Sequence, residues 1–280
     1  MISLYKQGYH LVFGWRNNYM LATLLIIDAM NLIRRIYAIQ EKQHGESTRA
    51  IEETTKIACT ALQKLAQQHT PTHVICVFDS HTKSWRHQLY PLYKHGRKPI
   101  PTLLKQSLGN IQDQFMKIGF ESLLSETDEA DDLIATLSDK MAKKKQKCII
   151  VSTDKGFYQL LGPQILIFDH FQNSYTDSGR VLNKMALNID KLCDYWAITG
   201  ISSSAIKGVE GVGEKGALLL LHEYGNLQAI FDAPINEKNK PLCKVKKCEH
   251  EARLSQQLVT LKKDINLGFN LQDLRYQSHR

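Results

Sequence analysis

The sequence has no CxxC pair. Its six cysteines stand singly at positions 59, 76, 148, 193, 243 and 248, which excludes a zinc ribbon and a dithiol redox motif. It also lacks long apolar runs. The run 20–27 is stopped by Asp28, far short of the roughly 18 residues needed to span a bilayer. Residues 1–19 are aromatic and basic, without periodicity and without the apolar region of a secretory signal. Scattered thiols suit a reducing, cytoplasmic setting. No internal repeat and no GxxxxGK[ST] loop occurs, so neither a solenoid nor a nucleotide-type small-molecule cofactor is expected. Nothing points to an oligomer, and a monomer is the default.

What is present is a chain of 280 residues, 43% hydrophobic, enough for one large domain or a large domain with an appendage. Lys and Arg number 36 against 28 Asp and Glu, a formal charge of +8. That excess is compatible with ordinary solubility and equally with attraction to a polyanion.

Five short β-branched runs, at 24–28, 73–79, 120–124, 148–153 and 165–169, have the pattern of buried strands. Cys76 and Cys148 lie inside two of them and are expected in the core. Helical patterns at 49–68, 101–118 and 128–143 separate several of the strands, which predicts an α/β fold with a mostly parallel sheet covered by helices on both faces. Strand signals stop near 185. Helical patterns follow at 190–199, 214–224 and 249–262, with a Gly/Ser-rich connector at 200–213 and a Pro/Asn/Lys-rich surface loop at 234–248. The expected division is a core over 20–183 and a helical region over 184–280.

Asp28 and Asp79 end the first two strands, and Asp154 follows the fourth. In a parallel sheet, the carboxyl ends of strands face the ligand crevice. Any one of these acids is explained as a helix cap; three together favour convergence. The acid-rich segment from Glu126 to Asp132, which includes Glu129 and Asp131, opens a helix, where the dipole tolerates negative charge. So many carboxylates in one place would repel without a cation. An all-oxygen set without His or Cys suits Mg²⁺ or Mn²⁺, and such sites serve phosphoryl chemistry.

A basic stretch follows the second strand. Arg86, His87, Lys94, His95, Arg97 and Lys98 interleave with Trp85, Tyr90 and Tyr93. Cations neutralise phosphates and aromatic faces stack on bases; a solvated basic loop is the plainer alternative. Further on, Gly208, Gly211, Gly213 and Gly216 lead into an apolar helix through Val212, Glu214 and Lys215. Glycines let backbone N–H groups approach a phosphate at a helix N-terminus. Helix, Gly-hairpin and helix in that order form a helix-hairpin-helix, which grips a DNA backbone without reading sequence.

Taken together, these motifs resemble the 5′-nuclease family, which includes the nuclease domain of bacterial DNA polymerase I, phage 5′-exonucleases and flap endonucleases. The carriers are Leu25-Ile-Ile-Asp28, Phe78-Asp79, Trp85-Arg86-His87, Tyr93-Lys94-x-x-Arg97, Glu129-Ala-Asp131-Asp132, Ser152-Thr-Asp154-Lys155 and Gly208-Val-Glu-Gly211-Val-Gly213-Glu-Lys215, spread over roughly two thirds of the chain. The resemblance implies a PIN-like nuclease core and a first metal cluster of Asp28, Asp79, Glu129, Asp131, Asp132 and Asp154. It implies catalytic roles for Asp28, Asp79, Asp131, Lys94 and Arg97. It also implies DNA contacts from Arg86, Tyr93, Lys94, Arg97 and the 211–216 hairpin, and a K⁺ ion on the carbonyls of Ile198, Thr199, Lys207, Val209 and Val212.

One departure is large. Family members with a full second cluster carry Asp-Lys-Asp and then Gly-Asp-Ser-Ser-Asp. This chain has Asp154-Lys155-Gly156 and Gly200-Ile201-Ser202-Ser203-Ser204, so three carboxylates are missing, a pattern similar to the bacterial exonuclease IX subgroup. The resemblance therefore implies slow, metal-dependent cleavage of branched or 5′-flapped DNA. The rival expectation is a non-catalytic DNA-junction binder; a ribonuclease on the same core is disfavoured by the hairpin. Residues 1–19 are expected to be an upstream extension contributing little to the fold.

Overall fold

The computed structural model describes residues 22–79, 82–125 and 127–277; the expectation for residues 1–19 lies outside them. Strand β1 (Thr23–Asp28) is the middle of a sheet in the order β3-β2-β1-β4-β5-β6. Strands β2 (His73–Phe78) and β4 (Lys147–Val151) flank it in parallel, with β3 (Ser122–Leu124) and β5 (Ile165–Asp169) parallel beyond them. The β1 side chains alternate between two cores. Leu24 and Ile26 belong to one apolar cluster and Leu25 and Ile27 to the other, as a two-residue period requires when both sheet faces are covered.

One face is covered by α1 (Ala29–His44), α2 (Thr48–His69) and α4 (Thr102–Lys117). A short α3 (Trp85–Leu89) lies between β2 and α4. The other face carries α5 (Ala130–Lys143) and the C-terminal helices α6 (Ser178–Met185), α7 (Leu192–Thr199), α8 (Glu214–Tyr224), α9 (Leu227–Asp232), α10 (Lys240–Lys247) and α11 (Glu249–Val259). Ile26 and Ile134 share a continuous apolar cluster with Ile198, Leu221 and Leu258, so the C-terminal helices are built onto the sheet's own core. Cys148 is buried in this cluster and Cys76 in the one on the opposite face, both as small apolar residues.

Helices α1, α3, α6 and α9 are not among the expected helical patterns, and two further elements differ from expectation. Strand β6 (Ser174–Thr176) pairs antiparallel with β5; three polar or half-polar residues carry no alternation strong enough to reveal it. The segment 234–248 is largely helical, not a loop. Asn239 caps α10 by accepting from the Leu242 N–H at 3.1 Å, Pro241 occupies the first turn, and Leu242 and Val245 bury one face. A capping Asn and a first-turn Pro start a helix; at the level of composition the same residues imitate a loop. The connector 200–213 holds a minimal hairpin, β7 (Gly200–Ile201) against β8 (Ile206–Lys207).

Among the described residues, no helix is long and apolar enough to cross a membrane.

Candidate metal centre and nucleic-acid cleft

The carboxyl ends of β1, β2 and β4 meet the N-terminus of α5. Asp28 is both the last residue of β1 and the cap of α1: one carboxylate oxygen accepts from Asn31 N–H at 3.2 Å, the other from Ser152 Oγ at 2.7 Å. The same hydroxyl oxygen accepts from Asp154 N–H at 3.0 Å. Asp79 follows β2 and accepts from Ala130 N–H at 3.1 Å, which ties it to the first turn of α5. Asp131 is the next residue of that turn and lines the cleft with Asp154.

These acids feel one another. Burial pushes Asp28 up to about 7; the bond from Ser152 opposes the rise, and the charges of Asp79 and Asp154 add to it. Asp131 is also pushed well above the ordinary carboxylate range, by desolvation first. Lys94 opposes that rise, while Asp79, Asp154 and Asp28 reinforce it. A cation among these acids would relieve the disfavoured charge that raises them. Among the described residues, no three acid, His or Cys side chains are arranged, as they stand, to enclose an ion. The chemistry of the donor set nonetheless fits a hard divalent ion, because every group is an oxygen donor.

Glu129 and Asp132 are differently engaged. Glu129 accepts from Ser84 Oγ at 2.5 Å on one oxygen, and from Lys94 Nζ at 2.7 Å and Tyr93 OH at 3.1 Å on the other. Burial would raise its pKa, but Lys94 and Arg86 outweigh burial and hold it down at about 2. Ser84, Tyr93 and Lys94 would compete with an ion for its oxygens. Asp132 is fully buried. It accepts from both terminal nitrogens of Arg86 at 2.7 and 2.8 Å, from Trp85 Nε1 at 2.9 Å and from Lys262 N–H at 2.9 Å. The expectation that Asp132 ligates a metal is therefore corrected: its oxygens hold α3 and the chain after α11 against α5. Arg86 is corrected with it. At 1% exposure, with its remaining donors on Leu258 O and Thr260 O, it is a core ion pair and offers no face to DNA.

Lys94 is fixed by a tight turn. Its backbone is left-handed, with φ of 55°, and its N–H donates to Ser204 O at 2.8 Å. Such a conformation is uncommon outside glycine and needs surrounding support. Burial disfavours the ammonium, yet Asp131, Tyr93, Glu129 and Asp79 outweigh burial and raise its pKa, so Lys94 stays charged. Arg97 turns to the helical region, donating to Ser203 O at 2.9 Å and Ser204 Oγ at 3.0 Å. Ser204, which stands at the place of one of the three missing carboxylates, is thus bound to a guanidinium.

A cleft of about 770 Å³ joins these parts. Its lining includes Asp131, Asp154 and Lys155, Arg97 and the 202–204 turn, and Gly213 and Glu214. The glycine hairpin is tightly closed. A Cβ on Gly208 would stand 2.3 Å from Ile198 O, and one on Gly200, at φ of 75°, would stand 2.4 Å from Gly208 N. Of the carbonyls named for K⁺, Ile198 O accepts from Val209 N–H, Val209 O from Val212 N–H and Lys207 O from Ser255 Oγ. Gly216 is a packing residue, facing Val212 and Pro241. Gly211, Gly213, Glu214 and Lys215 are exposed, and Val212 is buried.

Sequence reasoning missed the supports. Ser84 orients Glu129, and Asn31 accepts from the Thr153 N–H and hydroxyl at 3.2 and 3.0 Å. Asn31 stands one turn into the helix that Asp28 caps, which was the available signal.

Comparison with known proteins agrees with this geometry. Residues 23–186 match the model of the 5′-3′ exonuclease N-terminal resolvase-like domain, and residues 187–280 match the 5′-3′ exonuclease C-terminal SAM fold. A protein named flap endonuclease Xni from Psychromonas ingrahamii is 62% identical over 257 residues, covering 92% of this chain and 98% of that one. Its namesake from Vibrio cholerae is 42% identical over 260 residues, covering 91% and 97%. Among solved structures, bacteriophage T5 5′-exonuclease with bound zinc superposes with a TM-score of 0.71 at 22% identity, covering 85% of this chain and 89% of that one. A T5 flap endonuclease complex with DNA and metal ions gives 0.70 at 24%, covering 85% and 88%. With both halves matched in order, the chain belongs to the 5′-3′ exonuclease family.

Proposed function

We propose that this protein is a metal-dependent, structure-specific 5′-nuclease that hydrolyses phosphodiester bonds near the 5′ ends of flapped or branched DNA, acting in the cytoplasm. The convergence of Asp28, Asp79, Asp131 and Asp154 beside a charged Lys94 carries the reading, with Asp131 and Asp154 lining a cleft that Gly213 and Glu214 of the hairpin also line. Burial, reinforced by their mutual repulsion, raises Asp28 and Asp131, and a DNA-junction binder without catalysis has no use for acids so placed.

The four aspartates would hold Mg²⁺ or Mn²⁺, which when bound supplies a Lewis acid for the scissile phosphate and lowers the pKa of water. Ser152 and Asn31 orient Asp28, Asp154 and the adjoining strand end. Lys94, positioned by Glu129, offsets charge developing on a phosphate oxygen. Arg97 lines the same cleft and reaches a phosphate by exchanging its bonds to Ser203 and Ser204. Tyr93 acts from beneath, with its hydroxyl on Glu129. The hairpin at Gly211, Val212, Gly213, Glu214 and Lys215 presents backbone to the duplex. The carbonyls of Ile198, Thr199, Lys207, Val209 and Val212 are our candidates for K⁺ there.

Without second-cluster carboxylates, turnover is expected to be slow relative to an enzyme with both. The reading is tested by incubating purified protein with Mg²⁺ or Mn²⁺ and 5′-flap, overhang and nicked-duplex substrates. Failure to cut any of them would reject it.

A further inference from the structure

The lysine-rich helix α10 takes no part in the cleft. Its cations divide by helix position. Lys246 is turned inward, donating to Phe231 O and to Ala233 O, and Leu242 and Val245 are buried. Lys240, Lys244 and Lys247 follow one another at i, i+4 and i+7, a single stripe about 10 Å long. All three are exposed. Among the described residues, none has a carboxylate within ion-pair distance.

The stripe is fixed beside the glycine hairpin. Lys244 Nζ donates to Gly211 O at 3.1 Å, so its ammonium sits at the hairpin turn. Pro241 packs against the first turn of α8: a Cβ on Gly216 would meet Pro241 Cγ at 3.5 Å. Lys207 and Lys215 are exposed on the hairpin itself, but Glu210 and Glu214 accompany them there. The hairpin's own charges therefore cancel, and the unpaired positive charge of this surface lies on α10.

We propose that α10 is a second duplex-binding element, in which Lys240, Lys244 and Lys247 contact successive backbone phosphates of the duplex that the hairpin engages. Ammonium groups at this spacing neutralise phosphates without reading bases, so the element lengthens the footprint on double-stranded DNA and leaves sequence preference untouched. The proposal rests on the DNA-processing reading above.

The test uses the full chain and a 5′-flap DNA in EDTA, so that binding is read without cleavage. Affinity is measured against salt for the wild type and for the triple variant Lys240→Gln, Lys244→Gln, Lys247→Gln. Each lost phosphate contact removes about 0.9 from the slope of log K against log salt, so a slope smaller by about 2–3 is expected. The variant should also lose the affinity that the wild type gains when the duplex arm is lengthened. Replacing the same three residues by Arg should retain the wild-type slope. Removing equal charge from the opposite sheet face, with Lys42→Gln, Lys56→Gln and Lys64→Gln, should leave the slope alone. An unchanged slope in the α10 variant, or an equal fall in the control variant, overturns the proposal. A wild type that neither binds nor cleaves flap DNA would instead bring down the underlying reading.

Discussion

Arg86 and Asp132 form an ion pair at 2.7 Å out of contact with water. Breaking such a pair from one side leaves a buried unpaired ion, at a cost of about 3–5 kcal/mol. Asp132→Ala is expected to lower stability by that amount in chemical denaturation; a loss under about 1 kcal/mol would contradict the structural role assigned here. His69 gives a pH dependence. Burial lowers its pKa below the ordinary value, and Tyr175 OH contacts its Nδ1 at 2.7 Å. The folded state therefore binds this proton less readily than the unfolded chain. Its contribution to stability is present above the ordinary histidine pKa of about 6.5 and is lost as pH falls below it. The melting temperature of the wild type should drop on going from neutral to mildly acidic pH, and His69→Gln should reduce that drop; an equal drop in both would count against it. At this scale the sequence was legible in part. Acids at strand ends announced the cluster, but Asp132 and Arg86 carry the same motif letters as surface or metal-binding residues. Only packing, with α3 pressed onto α5, shows that they neutralise each other.

Among the elements, the glycine hairpin is the most constrained. Gly200 and Gly208 approach so closely that neither has room for a Cβ. Gly208→Ala must push the 198–200 backbone away, an overpacking cost of about 1–3 kcal/mol. Duplex affinity should fall along with stability, as seen in denaturation and DNA-binding measurements on the same preparation. Normal affinity in that variant would show that the hairpin's closure is irrelevant to binding. The glycine spacing made this element visible in advance. The apolar strands β1, β2, β4 and β5 were visible too, because parallel strands buried on both faces read as continuous runs. Strand β6 and helix α10 were not. Three residues are too few to show a period, and Asn239, Pro241 and four lysines look like a loop until Leu242 and Val245 are seen to share a face.

For the whole molecule, one apolar cluster runs from Leu24 and Ile75 in the sheet through Ile198 to Leu258 in the last helix. Regions joined by a shared core unfold together. Calorimetry should show one transition, with agreement between the calorimetric and van't Hoff enthalpies; two separate transitions would mean that the halves are independent bodies. A sequence shows where strand signals stop, but it does not show that the helices beyond that point are built onto the sheet's own core. That packing holds Asp131 and the hairpin residues Gly213 and Glu214 around one cleft, as cleavage at a defined place on a gripped duplex requires.

The most direct test of the nuclease assignment is a Mg²⁺-dependent 5′-flap cleavage assay comparing the wild type with Asp131→Ala and Asp79→Ala. The account predicts cleavage by the wild type, a loss of at least about 100-fold in each variant, and flap binding retained in all three. Tight flap binding with no cleavage by any of them, or undiminished cleavage by either variant, would contradict it.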